Sequence, residues 1–431
     1  MSENENEDNH RNVKVETKLL AKTVDIDGSK DDNFIQGCQF APDGSCILTC
    51  TARDATMRLY NTTWAQESVV DWKSALKIEN VGDSIRCYDW YPFMKSNDPS
   101  TCAFVVASRG RPVQLFDAYN GSLRASYRPY NGLDEMESPN VVTFDSTGHQ
   151  IYCGGFRSDR MIYAFDVTRP GRDPTCLYKL GKTRHSKDGQ KGLVSALTFV
   201  PSMPNVFVVG TYSPGSIYLY DQRCSESVTV LYDGLCLVGH GKRQKHHKRR
   251  FVSSDTDVDN DWLSNAKQEW YKRREVHQSG ITQLTSSSSL LLYSACRRSH
   301  SIQVWDLRQM SSTITSYPQY NPTNQRLEFH LSEDTIYITN ADRTVTMYHT
   351  NISSSTETKK PFHTIEGFMD TTNGVSYHSS YLAIGVGSRR FHQQTDSSDD
   401  DVSVEEEKAS GSLELYSLQS NQSTIHNNIT I

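Results

Sequence analysis

The stretch IYAFD at residues 162–166 is a short alternating run that ends on an aromatic and an aspartate, and it has six counterparts along the chain. These are MRLYN (57–61), VQLFD (113–117), IYLYD (217–221), IQVWD (302–306), VTMYH (345–349) and LELYS (413–417). Their aromatics, Tyr60, Phe116, Phe165, Tyr220, Trp305, Tyr348 and Tyr416, are spaced by 56, 49, 55, 85, 43 and 68 residues. The two long spacings each contain a charged insertion: removing 241–277 reduces 85 to 48, and removing 391–408 reduces 68 to 50. Upstream of each aromatic lie two further strand-like runs divided by turn residues, as in GCQF-APDGS-CILTC and VVTF-DSTGH-QIYCGG. A fourth run follows, such as LRASY or PTCLYKL. Alternation with period two marks half-buried strands, and the Pro, Asp and Gly residues between them mark turns. Four strands per repeat at this period, with an aromatic-Asp mark, is the signature of WD-type β-propeller blades. Such blades bury alternate side chains against their neighbours and are stable only when stacked.

The expected fold is therefore all-β, a seven-bladed WD-type β-propeller over residues 18–420, with a disordered acidic tail at 1–17 and a C-terminal tail at 421–431. The run KLLAKTVDI (18–26) has no anchor of its own, and is expected to close the ring as the outer strand of the last blade. An open propeller would leave two bare sheet edges. In three repeats an Asp stands six residues before the aromatic, at Asp54, Asp159 and Asp342, where a carboxylate can accept hydrogen bonds from turn amides.

Charge is distributed unevenly. Of the formal net charge of −6, residues 1–33 carry −4, residues 240–277 carry +4 and residues 396–408 carry −6, so the remainder is neutral. That balance excludes a uniformly basic nucleic-acid coat; any RNA or DNA site must be local. The first residues, MSENENEDNHRN, contain no apolar run of the kind that directs export, and no stretch approaches a membrane span, so no membrane partner is expected. The ten cysteines include no C-x-x-C pair, and most lie within apolar runs, as expected of buried reduced thiols rather than disulfides or a metal site.

No catalytic motif is present, neither G-x-S-x-G, H-E-x-x-H nor G-x-G-x-x-G; Gly234 and Gly239 have phosphate-loop spacing, but His240 follows where lysine is required. The chain is therefore expected to be no enzyme and to use no cofactor or metal. What does recur is arginine. Arg53, Arg109 and Arg111, Arg157 and Arg160, Arg297 and Arg298, Arg343, and Arg389 and Arg390 fall in the turn between the second and third strands of six repeats. Those turns project from one face of a propeller. Arginine is also an ordinary residue at an exposed, solvated turn, so the recurrence has a bland reading as well. As a ring of forked cationic donors it would grip phosphate, with Phe156, Tyr212 and Tyr130 as platforms for unpaired bases.

Six bases crowd the segment GKRQKHHKRR (241–250): Lys242, Arg243, Lys245, Lys248, Arg249 and Arg250. A nuclear-import signal, an RNA-phosphate contact and a solvated loop balanced by the following aspartates all fit it. The acidic segment DSSDDDVSVEEE (396–407) is expected to be disordered and to repel RNA. Trp305, Asp306, Leu307 and Arg308 spell a W-D-x-R pattern that some propellers present to a ubiquitin-ligase adaptor, which keeps a protein-only scaffold or ligase substrate receptor as the competing class.

Several stretches lie in turns and loops that the blade pattern does not dictate. NFIQGCQFAPDGSCILT (33–49), WYPFM (90–94), FDAYNGSLRASYRPYN (116–131) followed by Asp134 and Glu135, TRPGRD (168–173), VWDLRQ (304–309), PTNQR (322–326), TNGVSYH (372–378) and the acidic segment after GSRRF together resemble the telomerase Cajal body protein family, over about residues 33 to 408. The resemblance implies an RNA-binding scaffold that recognises the Cajal-body box of H/ACA small Cajal-body RNAs and, where it carries the box, of telomerase RNA. It further implies delivery of these particles to Cajal bodies beside the dyskerin-containing ribonucleoprotein core, folding by the cytosolic chaperonin, and residence in the nucleus and Cajal body as well as the cytoplasm. The protein is expected to act as a monomer.

Overall fold

The computed structural model describes residues 15–23, 33–62, 70–158, 160–181, 189–213, 215–225, 227–233, 280–309, 313–351, 359–389 and 411–420. Among them there are 29 strands in seven sheets and no helix, hence no helix long and apolar enough to cross a membrane. Six of the sheets are four-stranded antiparallel meanders, and the seventh is completed by strands from the start of the chain. Blade 2, for example, runs Ile85–Trp90, Ala103–Ser108, Val113–Asp117 and Leu123–Tyr127 from the axis outward. The seven-bladed propeller read from the repeats is the fold of this chain.

Alternation in the anchors produces the packing. Tyr60, Phe165 and Tyr220 are fully buried, and Phe116, Trp305 and Tyr348 nearly so, each in an apolar cluster built between neighbouring blades. Burying side chains of this size contributes about 2–3 kcal/mol apiece, so the interfaces between blades, rather than any one sheet, carry the fold. Polar tips are satisfied inside: the Trp305 indole donates to Ser294 Oγ at 2.9 Å, and the Tyr127 hydroxyl donates to the Val167 carbonyl at 2.7 Å. The Asp54 carboxylate accepts from the Thr51 hydroxyl, from the Thr56 amide at 3.3 Å and from Arg58 Nη2 at 3.3 Å. Asp342 accepts from the Thr344 hydroxyl at 2.8 Å, and Asp159 lies outside the described residues.

The ring closes where it was expected to, with one difference in extent. The closing strand is Val15–Thr23, so it begins three residues inside the segment assigned to the tail. Val15 and Thr17 extend the period-two pattern of the strand, a signal hidden by the intervening Glu16 and Lys18. It pairs antiparallel with Ser412–Ser420 of blade 7, Leu19 opposite Tyr416 and Lys22 opposite Glu414, and the Lys22 ammonium lies 2.8 Å from the Glu414 carboxylate. A further strand, Val70–Trp72, comes from the connection between the third and fourth strands of blade 1 and pairs parallel with the far side of the closing strand. Trp72 holds that strand down: its ring packs on Tyr60 at 5.0 Å and its indole donates to the Asn61 carbonyl at 3.2 Å.

Near the axis the seam between blades 7 and 1 depends on two glycines. A Cβ at Gly374 would stand 2.6 Å from Gly37 Cα, and Gly37 itself has a left-handed φ of 105°. No side chain could be inserted there without parting the inner strands.

Candidate nucleic-acid interface

In a four-stranded meander the turn between strands two and three opens on the same side as the connection from strand four to the next blade. Blade 2 shows this in its register, since Ile85 pairs with Ser108 and Tyr127 with Val113, which brings Arg109, Arg111 and the connection starting at Arg128 to one face. The strand ends that flank the two charged segments of the sequence lie on this face as well: Asp233 and Ile281 on either side of 241–277, and Val386 and Ser412 on either side of 391–408. Arg390 and the basic residues Lys242, Arg243, Lys245, Lys248, Arg249 and Arg250 lie outside the described residues.

The other candidate arginines divide into three groups. Arg109, Arg111, Arg157, Arg298 and Arg343 are exposed, and among the described residues none has a carboxylate within ion-pair distance. Arg53 and Arg389 are exposed too, and their main-chain amides are fixed by Asn33 Oδ1 at 3.2 Å and Gln325 Oε1 at 3.4 Å. Arg160 and Arg297 are half-buried. Arg160 donates to the Gln190 carbonyl, whose own side chain binds Val209, Ser216 and Tyr220. Arg160 thus belongs to the junction of blades 3 and 4 and is withdrawn from the rim. Arg297 lies flat over the Tyr212 ring, 4.2 Å from its centroid.

Arg298 and Arg343 have an unusual backbone, with φ of 49° and 64°. In the blade 2 turn the place corresponding to Arg298, two residues beyond the second strand, is taken by Gly110 with φ 75°. A left-handed residue with a side chain is strained relative to glycine, so these two turns hold arginine where glycine would fit more easily.

The aromatics need a correction. Phe156 is 4% exposed and packs edge-on against Tyr163 at 5.0 Å, so its faces are used in the core and offer no platform to a base. Sequence alone gave no sign of this, because a Gly-Gly-Phe run leaving a strand fits a surface turn as well as a core residue. Tyr130 is half-buried with the Arg172 guanidinium 4.3 Å above its ring, an arrangement secured by the ion pair between Arg172 and Asp134. Tyr212 remains partly open beside Arg297.

Two arginines missed in the turn pattern stand nearest the axis. Arg86, in the innermost strand of blade 2, and Arg326, in the connection into blade 6, both line a central cavity of about 160 Å³ together with Tyr88, Gln283, Glu328 and His330. Arg326 Nε lies 3.4 Å from Glu328 Oε1. Burial pushes the Glu328 carboxyl up despite the opposing Arg326 charge, and it pushes His330 down to about 4, with His378 adding to the effect. The signal for Arg86 was an alternating polar residue in IRCYDW; Arg326 was visible only as the end of PTNQR, outside any repeat.

On the opposite face, Arg308 forks onto an aspartate of its own blade while its side chain stays largely exposed. Its Nε and Nη2 donate to the two oxygens of Asp306 at 2.9 and 2.8 Å, and Arg223 grips Asp221 in the same fork at 2.9 and 2.6 Å. Among the described residues all nine cysteines are free, most are buried, and burial raises thiols such as Cys46 and Cys296 to about 12. No group of three or more His, Cys, Asp or Glu side chains that could hold a metal occurs among the described residues.

The fold and its repeats define a WD-repeat β-propeller, and the model of the WD domain, G-beta repeat, matches residues 21–61. Over most of its length the chain is a relative of the telomerase Cajal body proteins. It is 31% identical over 384 residues to telomerase Cajal body protein 1 of Rattus norvegicus, covering 86% of this chain and 62% of that protein. The Homo sapiens protein is 30% identical over 383 residues, covering 86% and 60%, and the Drosophila melanogaster homolog is 25% identical over 371 residues, covering 84% and 58%. The chain thus matches somewhat under two thirds of the length of these relatives.

Proposed function

We propose that this propeller is a non-enzymatic scaffold that binds single-stranded loops of H/ACA small Cajal-body RNAs, and of telomerase RNA where it carries the same box, through its arginine-bearing face. The observation that carries the reading is the set of exposed guanidinium groups, without ion pairs among the described residues, that blades 2, 3, 5 and 6 present on one face of a nearly neutral body. Arginine forks match phosphate oxygens in pairs, and unpaired loops expose the bases that stacking side chains can reach. The names of the relatives, telomerase Cajal body proteins, support the Cajal body and hence the nucleus as the setting. To this we add the dyskerin-containing ribonucleoprotein core as neighbour and the cytoplasm, with its chaperonin, as the place of folding. The protein acts as a monomer in this reading.

Crosslinking followed by sequencing of the bound RNA tests the proposal: enrichment of H/ACA RNAs sharing a loop sequence is expected. An interactome of proteins alone would replace it with the protein-scaffold reading. The ligase-receptor variant of that alternative gains nothing from Arg308, whose fork is occupied by Asp306.

A further inference from the structure

Two guanidinium groups line the axial cavity, and among the described residues one carboxylate does. Arg86 is anchored by one arm only: Nη1 donates to Asn140 Oδ1 at 2.5 Å and faces the Ser138 and Pro139 carbonyls at 3.4 Å, while Nε and Nη2 make no hydrogen bond among the described residues. Arg326 enters the same cavity from blade 6, with its Nε toward Glu328 and its two terminal nitrogens donating to nothing among the described residues. Among the described residues Glu328 is the only carboxylate lining the cavity, and its oxygens are packed toward Gly37 of blade 1, at 3.0 and 3.1 Å from where a Cβ would stand. Burial first, and then the charges of Arg109 and Arg157, lower the affinity of the Arg86 guanidinium for its proton. The backbone brings the same residues together: the Arg109 amide donates to the Ser84 carbonyl at 2.9 Å, two residues before Arg86, and the Asn140 that holds Arg86 is itself bonded to the Gly154 carbonyl at 2.9 Å, at the strand end from which Arg157 follows. Arg86 is half-buried and already oriented. An anion beside it would offset the neighbouring positive charges and meet a fork whose side-chain entropy has been lost in advance.

We propose that Arg86, Arg109, Arg157 and Arg326 form a subsite at the channel mouth that holds one backbone phosphate of the bound RNA strand. This rests on the RNA-binding reading above and narrows it: the strand crosses the axis beside blades 2 and 3, and the phosphate seated on Arg86 fixes its register. The two non-bridging oxygens of an internucleotide phosphate suit the free arm of Arg86 and the terminal nitrogens of Arg326. Exposed Arg109 and Arg157 contribute field more than contact.

The test uses the full chain and a hairpin RNA recovered by crosslinking, prepared as a series in which each loop linkage in turn is a neutral methylphosphonate. For the unmodified protein one linkage is expected to stand out, weakening binding about tenfold when neutralised, the scale of a charge-assisted hydrogen bond. Arg86→Gln is expected to lose a similar factor on the native RNA and then to be indifferent to that linkage. Where Arg86→Gln does not fold, the exposed pair Arg109→Gln and Arg157→Gln reads the same coupling, as a reduced penalty at that linkage. If the unmodified protein binds the RNA but neutralisation costs every protein the same, the subsite is refuted while the RNA-binding reading stands. If the unmodified protein binds no RNA, both fall together.

Discussion

Replacing Arg298 and Arg343 together by glycine separates the solvated-turn reading of the rim from the RNA-binding one. Both residues have positive φ, 49° and 64°. Removing the Cβ relieves about 1 kcal/mol of backbone strain at each site, of which roughly half is returned as the greater freedom of glycine in the unfolded chain. The double variant is therefore expected to be more stable by about 1 kcal/mol, a rise of about 2 °C in melting temperature for a domain of this size. It also removes two exposed guanidinium groups that have no ion pair among the described residues. If each meets a phosphate, the logarithmic salt dependence of single-strand binding should fall by about 0.7 per contact, or about 1.4 for the pair, with weaker binding at low salt. Differential scanning fluorimetry and fluorescence anisotropy over a salt series read the two effects on the same sample. A protein that gains stability and keeps both its affinity and its salt slope refutes the rim as a phosphate grip in blades 5 and 6. A protein that gains no stability refutes the strain argument.

Four other outcomes follow from the packing and the charges. Asp54→Asn leaves Arg58, 2% exposed, without its carboxylate, and should destabilise the protein by about 3 kcal/mol in denaturant titration. Burial pushes the Asp54 carboxyl up, but Thr51 and Arg58 outweigh it and hold it below the ordinary carboxylate range. Its contribution is accordingly present above the unfolded value near 3.8 and lost as pH falls through the lower folded one. His330 has the opposite chemistry and the same direction: with its folded value near 4 against 6.5 unfolded, the buried neutral ring costs stability progressively as pH drops from 6.5 to 4. The loss should reach up to about 3 kcal/mol, and a His330→Gln variant should flatten that limb of the pH–stability curve. Trp72→Ala, which removes the ring packed at a tilt on Tyr60 and the bond to Asn61, should cost about 3 kcal/mol and raise amide exchange in Val15–Thr23 before the rest of blade 7.

The fold was legible because a propeller repeats its decisive signal seven times. A single aromatic-Asp run such as VQLFD would have proved little, whereas its recurrence at a steady spacing, once the insertions were removed, left few other architectures. What escaped were features without a repeat. The short strand Val70–Trp72 is held by one tryptophan and a parallel ladder to Ala21–Thr23, and nothing local distinguishes it from a loop. The rim was legible as composition but not as geometry. Arg157 and Arg160 stand three residues apart in one turn, yet one is exposed and the other is bound to the Gln190 carbonyl, a partner contributed by the next blade. Phe156 and Arg86 show the same limit in opposite directions: side-chain direction at a strand end depends on neighbours that only the folded ring supplies.

The way the ring is fastened constrains how it can be made. The pairing of Val15–Thr23 with Ser412–Ser420 joins a strand made before blade 1 to one made after all the other blades. Until translation has passed residue 420, the innermost cluster shared by Ala21, Ile35, Leu413 and Leu415 is incomplete and the early strand has no antiparallel mate. A nascent chain therefore accumulates sheets with open flanks, six of them by the time His363–Ile365 is made, before the ring can close, a burden of non-local pairing that slows folding and invites aggregation. Deletions within Ser412–Ser420 should consequently behave as defects of biogenesis, lowering the yield of soluble protein far more than the loss of a few residues would suggest.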